Sequence, residues 1–251
     1  MTDHLRETLA NAGRVLAMEG HGDYVAGHIS VRLPENPGRF LMKPAGIGIE
    51  EMRPDNIITV DIEGGKVAGT MPRHNEVYIH SEVLRVRGDV VCVIHSHPMH
   101  AVAFSSLGKP LLAVGNSSVH FADGRLPIFS ETTDLIISQE RGRAVARCLG
   151  AHPALILRNH GIVVAGASIE EAVWTAIKLE KACQLQLLAE SAGGPKLLAE
   201  GGDLDKKRSR ADRPDLHANT FGYLVRKWRC QCCGENVPAP HLTTFENREQ
   251  R

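Results

Sequence analysis

The 251-residue sequence predicts an α/β layered domain around a mixed, mostly antiparallel central sheet. Three observations carry that expectation. Short apolar runs bounded by Gly, Pro or polar residues recur at 29–33, 89–95, 154–157 and 162–165, where strands fit. Helically spaced apolar positions recur around them, at 3–18, 76–86, 140–149 and 168–190. The order of these segments lacks the regular strand–helix alternation and the early GxGxxG of a dinucleotide binder.

Taken in order, Leu5, Leu9, Val15 and Leu16 mark an opening helix, and a Gly-rich turn follows from Gly20 to Gly27. Ile29–Leu33 alternates as a strand, and a turn at Pro34–Gly38 leads to a second strand near Arg39–Lys43. Residues 56–61 and 66–68 form a hairpin turned at Gly64-Gly65. A helix runs over 76–86, and Asp89–His95 reads as a strand buried on both faces. A short helix at 100–106 and a helix at 140–149, stopped by Gly150, precede the strands 154–157 and 162–165. Ser168 and Glu171 form a capping box that opens a long helix to about Glu190. Residues 200–215 read as a charged loop and 216–229 as a last short helix. The boundaries expected are one domain over 1–229 and a flexible, Cys-containing tail over 230–251.

Composition narrows the function. The formal net charge is zero, apolar content is 43% and aromatic content 4%, which point to neither a nucleic-acid nor a membrane partner. No apolar run approaches the ~20 residues of a membrane span, and no signal peptide is visible, so a soluble cytoplasmic protein is expected. Cys230, Cys232 and Cys233 crowd together, but no further ligand pair completes a four-ligand zinc site, so an incidental or weakly metal-binding cluster is expected.

Four residues carry the chemistry. His95 and His97 lie two apart at the end of an apolar strand, so both imidazoles project from one face, and Pro98 ends the strand there. H-x-H alone is weak, because two surface histidines explain it equally well. The run from Leu155 to His160-Gly161 repeats the design, and three imidazoles at neighbouring strand ends make a facial metal site with an open position. Glu76 opens the preceding helix and serves either as a fourth ligand or as a general acid/base beside a divalent metal ion. Such a donor set accepts zinc, manganese, cobalt or iron.

With these residues in place, the chain resembles the class II aldolase/adducin superfamily. The resemblance covers roughly residues 5–190 and rests on GHISVR (27–32), KPAGIG (43–48), the Asn75-Glu76 helix start, HSHP (95–98) and RNHG (158–161). It implies a three-layer α/β/α fold and a divalent metal held by His95, His97 and His160 with Glu76. It also implies a homotetramer with active sites at subunit interfaces, where a residue of the C-terminal region such as Tyr223 reaches a neighbouring site.

The sugar-phosphate aldolases of that family place small hydroxyl and amide groups where a phosphate binds. Here those places hold His28, Ala45 and His74-Asn75. The pattern looks more like the decarboxylase branch, whose members act on hydroxylated aromatic or pyridine carboxylates such as 3,4-dihydroxyphthalate in aromatic compound degradation. The function expected is therefore a carbon–carbon lyase of the carboxy-lyase type, with the metal stabilising a carbanion or enolate-type intermediate. Glu76 and then His74 are the candidate acid/bases. His28, Lys43, Arg73, Asn75 and Tyr223 are candidates to bind the carboxylate substrate. The plainer readings are surface charge for Lys43 and Arg73, and packing for His28 and His80. The competing functions are aldol cleavage of a non-phosphorylated hydroxy acid, a metal oxygenase, and a non-enzymatic adducin-like interaction domain.

Overall fold

The structure is a computed structural model and describes residues 2–234. The strands are β1 (His28–Leu33), β2 (Asn36–Met42), β3 (Ile58–Asp61), β4 (Lys66–Ala68), β5 (Cys92–Ser96), β6 (Ile128–Phe129), β7 (Ala154–Leu157) and β8 (Gly161–Gly166). They form one sheet in the order β4-β3-β2-β1-β5-β8-β7-β6. Every neighbouring pair is antiparallel except β6 and β7. The sheet is thus mixed and mostly antiparallel, as the sequence predicts. The two-residue β6 was not anticipated.

The helices are α1 (Thr2–Leu16), α2 (Val77–Val86), α3 (Met99–Ser105), α4 (Gln139–Leu149), α5 (Ile169–Ser191), α6 (Gly201–Ala211) and α7 (Pro214–Cys233). Side-chain alternation along the strands divides the interior into two cores. Ile29, Val31, Ile94, Ile162 and Val164 pack under α1, α3 and α5. Met42, Val93, Val163 and Ala165 pack under α2 and α4 on the opposite face. The three-layer arrangement follows from this alternation. His28, Ser30 and His95 share the strand parity of the second core, so they turn towards α2.

Two expectations need correction. Residues 200–215 are not a loop, because α6 occupies 201–211. Its polar residues form a solvated face, while Leu204 packs with Ala113, Val119 and Ala122. Burying one leucine contributes about 1.5–3 kcal/mol. Arg208 also ties the helix to the Val119 carbonyl and to Asp123. The final helix also runs past the boundary drawn at residue 229, through Cys230 and Cys232 to Cys233. Cys230 and Cys232 are exposed, and residues two apart on a helix do not face each other. The rest of the expected tail over 230–251, from residue 235 on, lies outside the described residues. Among the described residues, no helix is long and apolar enough to cross a membrane.

Candidate metal centre

The site forms where β5 ends. β5 pairs with β1 on one side and β8 on the other, which sets His95 opposite His28 and opposite Val163. His97 follows one residue past the strand. His160 sits in the turn between β7 and β8, where Asn159 takes a left-handed φ of 54°. Gly161 is required here. A Cβ at that position would collide with the Ser96 carbonyl oxygen and come within 2.7 Å of His97 Cδ2. The close backbone approach brings the β7–β8 turn onto the end of β5.

The ligand-type nitrogens of His95, His97 and His160 all lie within 4.8 Å of one another. Glu76, at the N-terminal end of α2, reaches the same point. Its Oε2 is 3.7 Å from His95 Nε2 and its Oε1 is 3.6 Å from His160 Nε2. Oε1 also accepts the Ile136 N–H at 2.9 Å, which fixes the carboxylate.

The hydrogen bonds on the outer nitrogens show what the inner ones carry. His95 Nδ1 is 2.9 Å from the Ile162 carbonyl, which can only accept, so the ring proton is on Nδ1. His97 Nδ1 is 2.9 Å from the Asp23 carboxylate, so its proton is on Nδ1 as well. Both Nε2 atoms therefore present lone pairs, and they lie 3.0 Å apart. His160 Nε2 is buried without any hydrogen-bond partner. Converging lone pairs with no donor between them are what a cation satisfies, and a carboxylate oriented through one ring nitrogen is the usual outer support of such a ligand. The donor set fits a divalent metal ion. Asp23 is a supporting residue that sequence reasoning missed.

Charge follows burial. Burial, then the neighbouring imidazoles, hold His95 and His28 well below the ordinary histidine range. Burial takes His160 down to about 4. These rings are neutral at neutral pH, the form that ligates. Burial raises the Glu76 carboxyl, and the Ile136 N–H only partly offsets this.

The remaining candidates separate into two groups. His28 is 1% exposed, with ring centroids 4.5 Å from His74 and 4.9 Å from His95. Lys43 is fully buried, so it is no surface charge. Its Nζ donates to the Val25 carbonyl at 3.0 Å and lies 3.2 Å from His74 Nε2. Burial lowers Lys43 to about 8 and His74 to about 4. The other group stands apart. Arg73 donates to the His74 carbonyl and lies over the Tyr78 ring. Asn75 is exposed. Tyr223, 56% exposed on α7, shares a hollow with Glu19, Lys181 and Lys227, and within one chain it does not join the histidines.

An open hollow of about 520 Å³ leads to the centre, lined by Asp23, His97, Met99, Val102, Leu135 and His160. Met99 and Leu135 are 71% and 48% exposed, and Tyr24 and Val25, next to Asp23 in the chain, are exposed as well.

Comparison with known proteins bears on the family and the fold. The family model for the class II aldolase and adducin N-terminal domain matches residues 7–187. A 3,4-dihydroxyphthalate decarboxylase of Arthrobacter keyseri is 33% identical over 221 residues, covering 84% of this chain and 86% of that protein. Decarboxylase NovR of Streptomyces niveus is 32% identical over 175 residues, covering 69% of this chain and 64% of that protein. Among solved structures, an L-fuculose 1-phosphate aldolase from Glaciozyma antarctica PI12 superposes with a TM-score of 0.80 at 31% identity, covering 90% of this chain and 89% of that one.

Proposed function

The chain belongs to the class II aldolase and adducin family, and from that premise we propose that it is a divalent-metal-dependent decarboxylase of a hydroxylated aromatic or heteroaromatic carboxylate. One observation carries the choice of reaction. Where sugar-phosphate aldolases of the family set phosphate-binding groups, this chain has His28 and His74, and with Lys43 they form a contiguous set beside the metal centre in which His28 and Lys43 are buried and His74 is half-buried. A buried ammonium beside neutral imidazoles suits a planar carboxylate. The resemblance to the dihydroxyphthalate and NovR decarboxylases supports the same reading.

His95, His97 and His160 would hold the metal, with Glu76 as a ligand or as the acid/base. When bound, the metal supplies Lewis-acid stabilisation of the charge that develops as a carbon–carbon bond breaks. Lys43 holds the substrate carboxylate by charge-assisted hydrogen bonding. The bond from ring carbon to carboxylate carbon breaks, the electron pair stays on the ring, and CO₂ leaves. A proton then joins the ring carbon, and Glu76, within 4 Å of His95 and His160, is the first candidate to deliver it. His74 is the second candidate for that proton. The exposed apolar residues Met99 and Leu135 at the entrance support a homo-oligomer, a tetramer by family resemblance, that covers the hollow with a neighbouring chain.

Metal-replete protein incubated with a panel of ortho-hydroxylated aromatic and pyridine dicarboxylates should release CO₂. Absence of CO₂ across the panel, with cleavage of a hydroxy acid to an aldehyde or ketone instead, would move the chain to the aldolase reading.

A further inference from the structure

Behind the metal centre lies a buried hydrogen-bonded chain of three side chains. Ser30 on β1 faces α2, and its Oγ is 2.7 Å from His80 Nδ1. His80 Nε2 is 2.6 Å from His28 Nδ1. His28 Nε2 then faces Glu76 Oε2 at 3.9 Å. His80 and Ser30 are fully buried and His28 nearly so.

The direction of this chain follows from which groups can donate. One proton lies between His80 Nε2 and His28 Nδ1, because two protons cannot share a 2.6 Å gap. If His28 donated it, His80 would carry its own proton on Nδ1 and donate to Ser30. The Ser30 hydroxyl would then need another acceptor, and among the described residues His80 is its only hydrogen-bond partner. A buried hydroxyl without an acceptor gives up its bond to water with nothing in return. The opposite direction leaves no unmet donor behind the site and moves the one remaining N–H to its wall, facing Glu76 Oε2 at 3.9 Å. Ser30 donates to His80 Nδ1, His80 Nε2–H donates to His28 Nδ1, and His28 keeps its proton on Nε2.

We propose that Ser30 and His80 are positioning residues that lock His28 as an N–H donor into the site and keep it out of the metal's ligand set. This distinction matters because His28, Glu76 and His95 also bring ligand-type atoms within 4.8 Å of one another, so distance alone offers two overlapping metal sites. The lone pairs of His95 and His97 converge beside the unpartnered His160 Nε2, whereas the inner nitrogen of His28 carries a hydrogen. Its target is an oxygen. The inference deepens the proposed function and rests on it for one point only, that this oxygen belongs to a substrate carboxylate or ring hydroxyl.

Tautomers are read by long-range nitrogen–proton correlation on full-length protein with ¹⁵N-labelled histidine at neutral pH. His28→Gln and His80→Gln assign the signals, and zinc content is measured after loading with zinc. The expected result is an Nε2–H tautomer for both His28 and His80, with the Nδ1–H form of His28 gaining population in Ser30→Ala. His28→Gln should retain the zinc equivalents of the unaltered protein, while His97→Ala loses them. A wild-type His28 protonated on Nδ1, or loss of zinc in His28→Gln, overturns the proposal. Should Ser30→Ala fail to fold, the wild-type spectrum and the zinc content of His28→Gln decide alone. Expected tautomers with no CO₂ from any carboxylate would defeat the decarboxylase reading and leave the hydrogen-bonded chain standing.

Discussion

Two histidine–carboxylate groups lie close together in this fold, and they are built on opposite principles. At the metal centre, His95, His97, His160 and Glu76 converge, yet the inner nitrogens find no donor. One turn along the chain, His100 meets Glu180, and there the hydrogen bonding is complete. Glu180 accepts His100 Nδ1 at 2.6 Å, the His100 N–H at 3.0 Å and the Ala101 N–H at 2.8 Å, which secures the first turn of α3. Residue types and burial are similar, so neither tells the two apart. What differs is unmet hydrogen-bonding capacity that converges. A solitary orphan is not sufficient, since His120 Nε2 also lacks a partner and belongs to neither converging ligand group.

The contrast can be broken by variants that should act on one group alone. The largest effect is expected from His97→Ala, which should weaken metal binding by more than ~100-fold and abolish activity, exceeding the loss that outer-shell changes cause. Its metal-free melting temperature should stay near that of the metal-free parent, because the ring's one donated hydrogen bond goes to Asp23, a carboxylate that water can reach. Full activity with retained metal would sink the site assignment. Asp23→Asn should come next, weakening metal affinity by roughly 10–100-fold while the far-ultraviolet circular dichroism stays unchanged. Glu180→Ala inverts the pattern. It strands two backbone N–H groups and an imidazole, so denaturant unfolding should show a loss of about 2–3 kcal/mol, with metal stoichiometry preserved. A drop in metal content without a drop in stability would mean that the two groups are one.

The smallest effect concerns a third, closed group. Glu19 bonds Lys181 and Lys227 between α5 and α7. Burial raises its carboxyl, but the two lysine hydrogen bonds outweigh that and hold it below its ordinary value. A carboxylate with a lowered folded pKa stabilises above its unfolded pKa, near 4.5, and that contribution is lost as pH falls through the folded value. Glu19→Gln should therefore cost about 1 kcal/mol or less at neutral pH and flatten the acid limb of the stability curve. An unchanged acid limb would show that the lysines do not hold it.

Much of this was readable from residue order. Strand parity placed His95 and His97 on one face, and the apolar run before His160 placed it at a neighbouring strand end. Glu76 followed from its helix start. Asp23 was not readable, because it lies 74 residues from His97 and only the folding of the chain joins them. The pairing of Ser30 with His80 escaped for the same reason, the two being separated by 50 residues with no spacing rule between them. Helix α6 was hidden by its own surface, since one buried leucine among charged residues leaves no period to detect. The burial of Lys43, a candidate substrate-binding residue, was not readable, because it depends on the loop that carries Val25.

The contact at Gly161 also bears on how such a pocket can diversify. Positions 99, 102 and 135 line an open hollow and leave room for side chains of new shape. Position 161 leaves none, because any added carbon meets the Ser96 carbonyl and the edge of His97. A library built to change the substrate should randomise the hollow and leave this one turn untouched. Selectivity and metal geometry are then inherited through different residues, so the chemistry can persist while the molecule it acts on is exchanged.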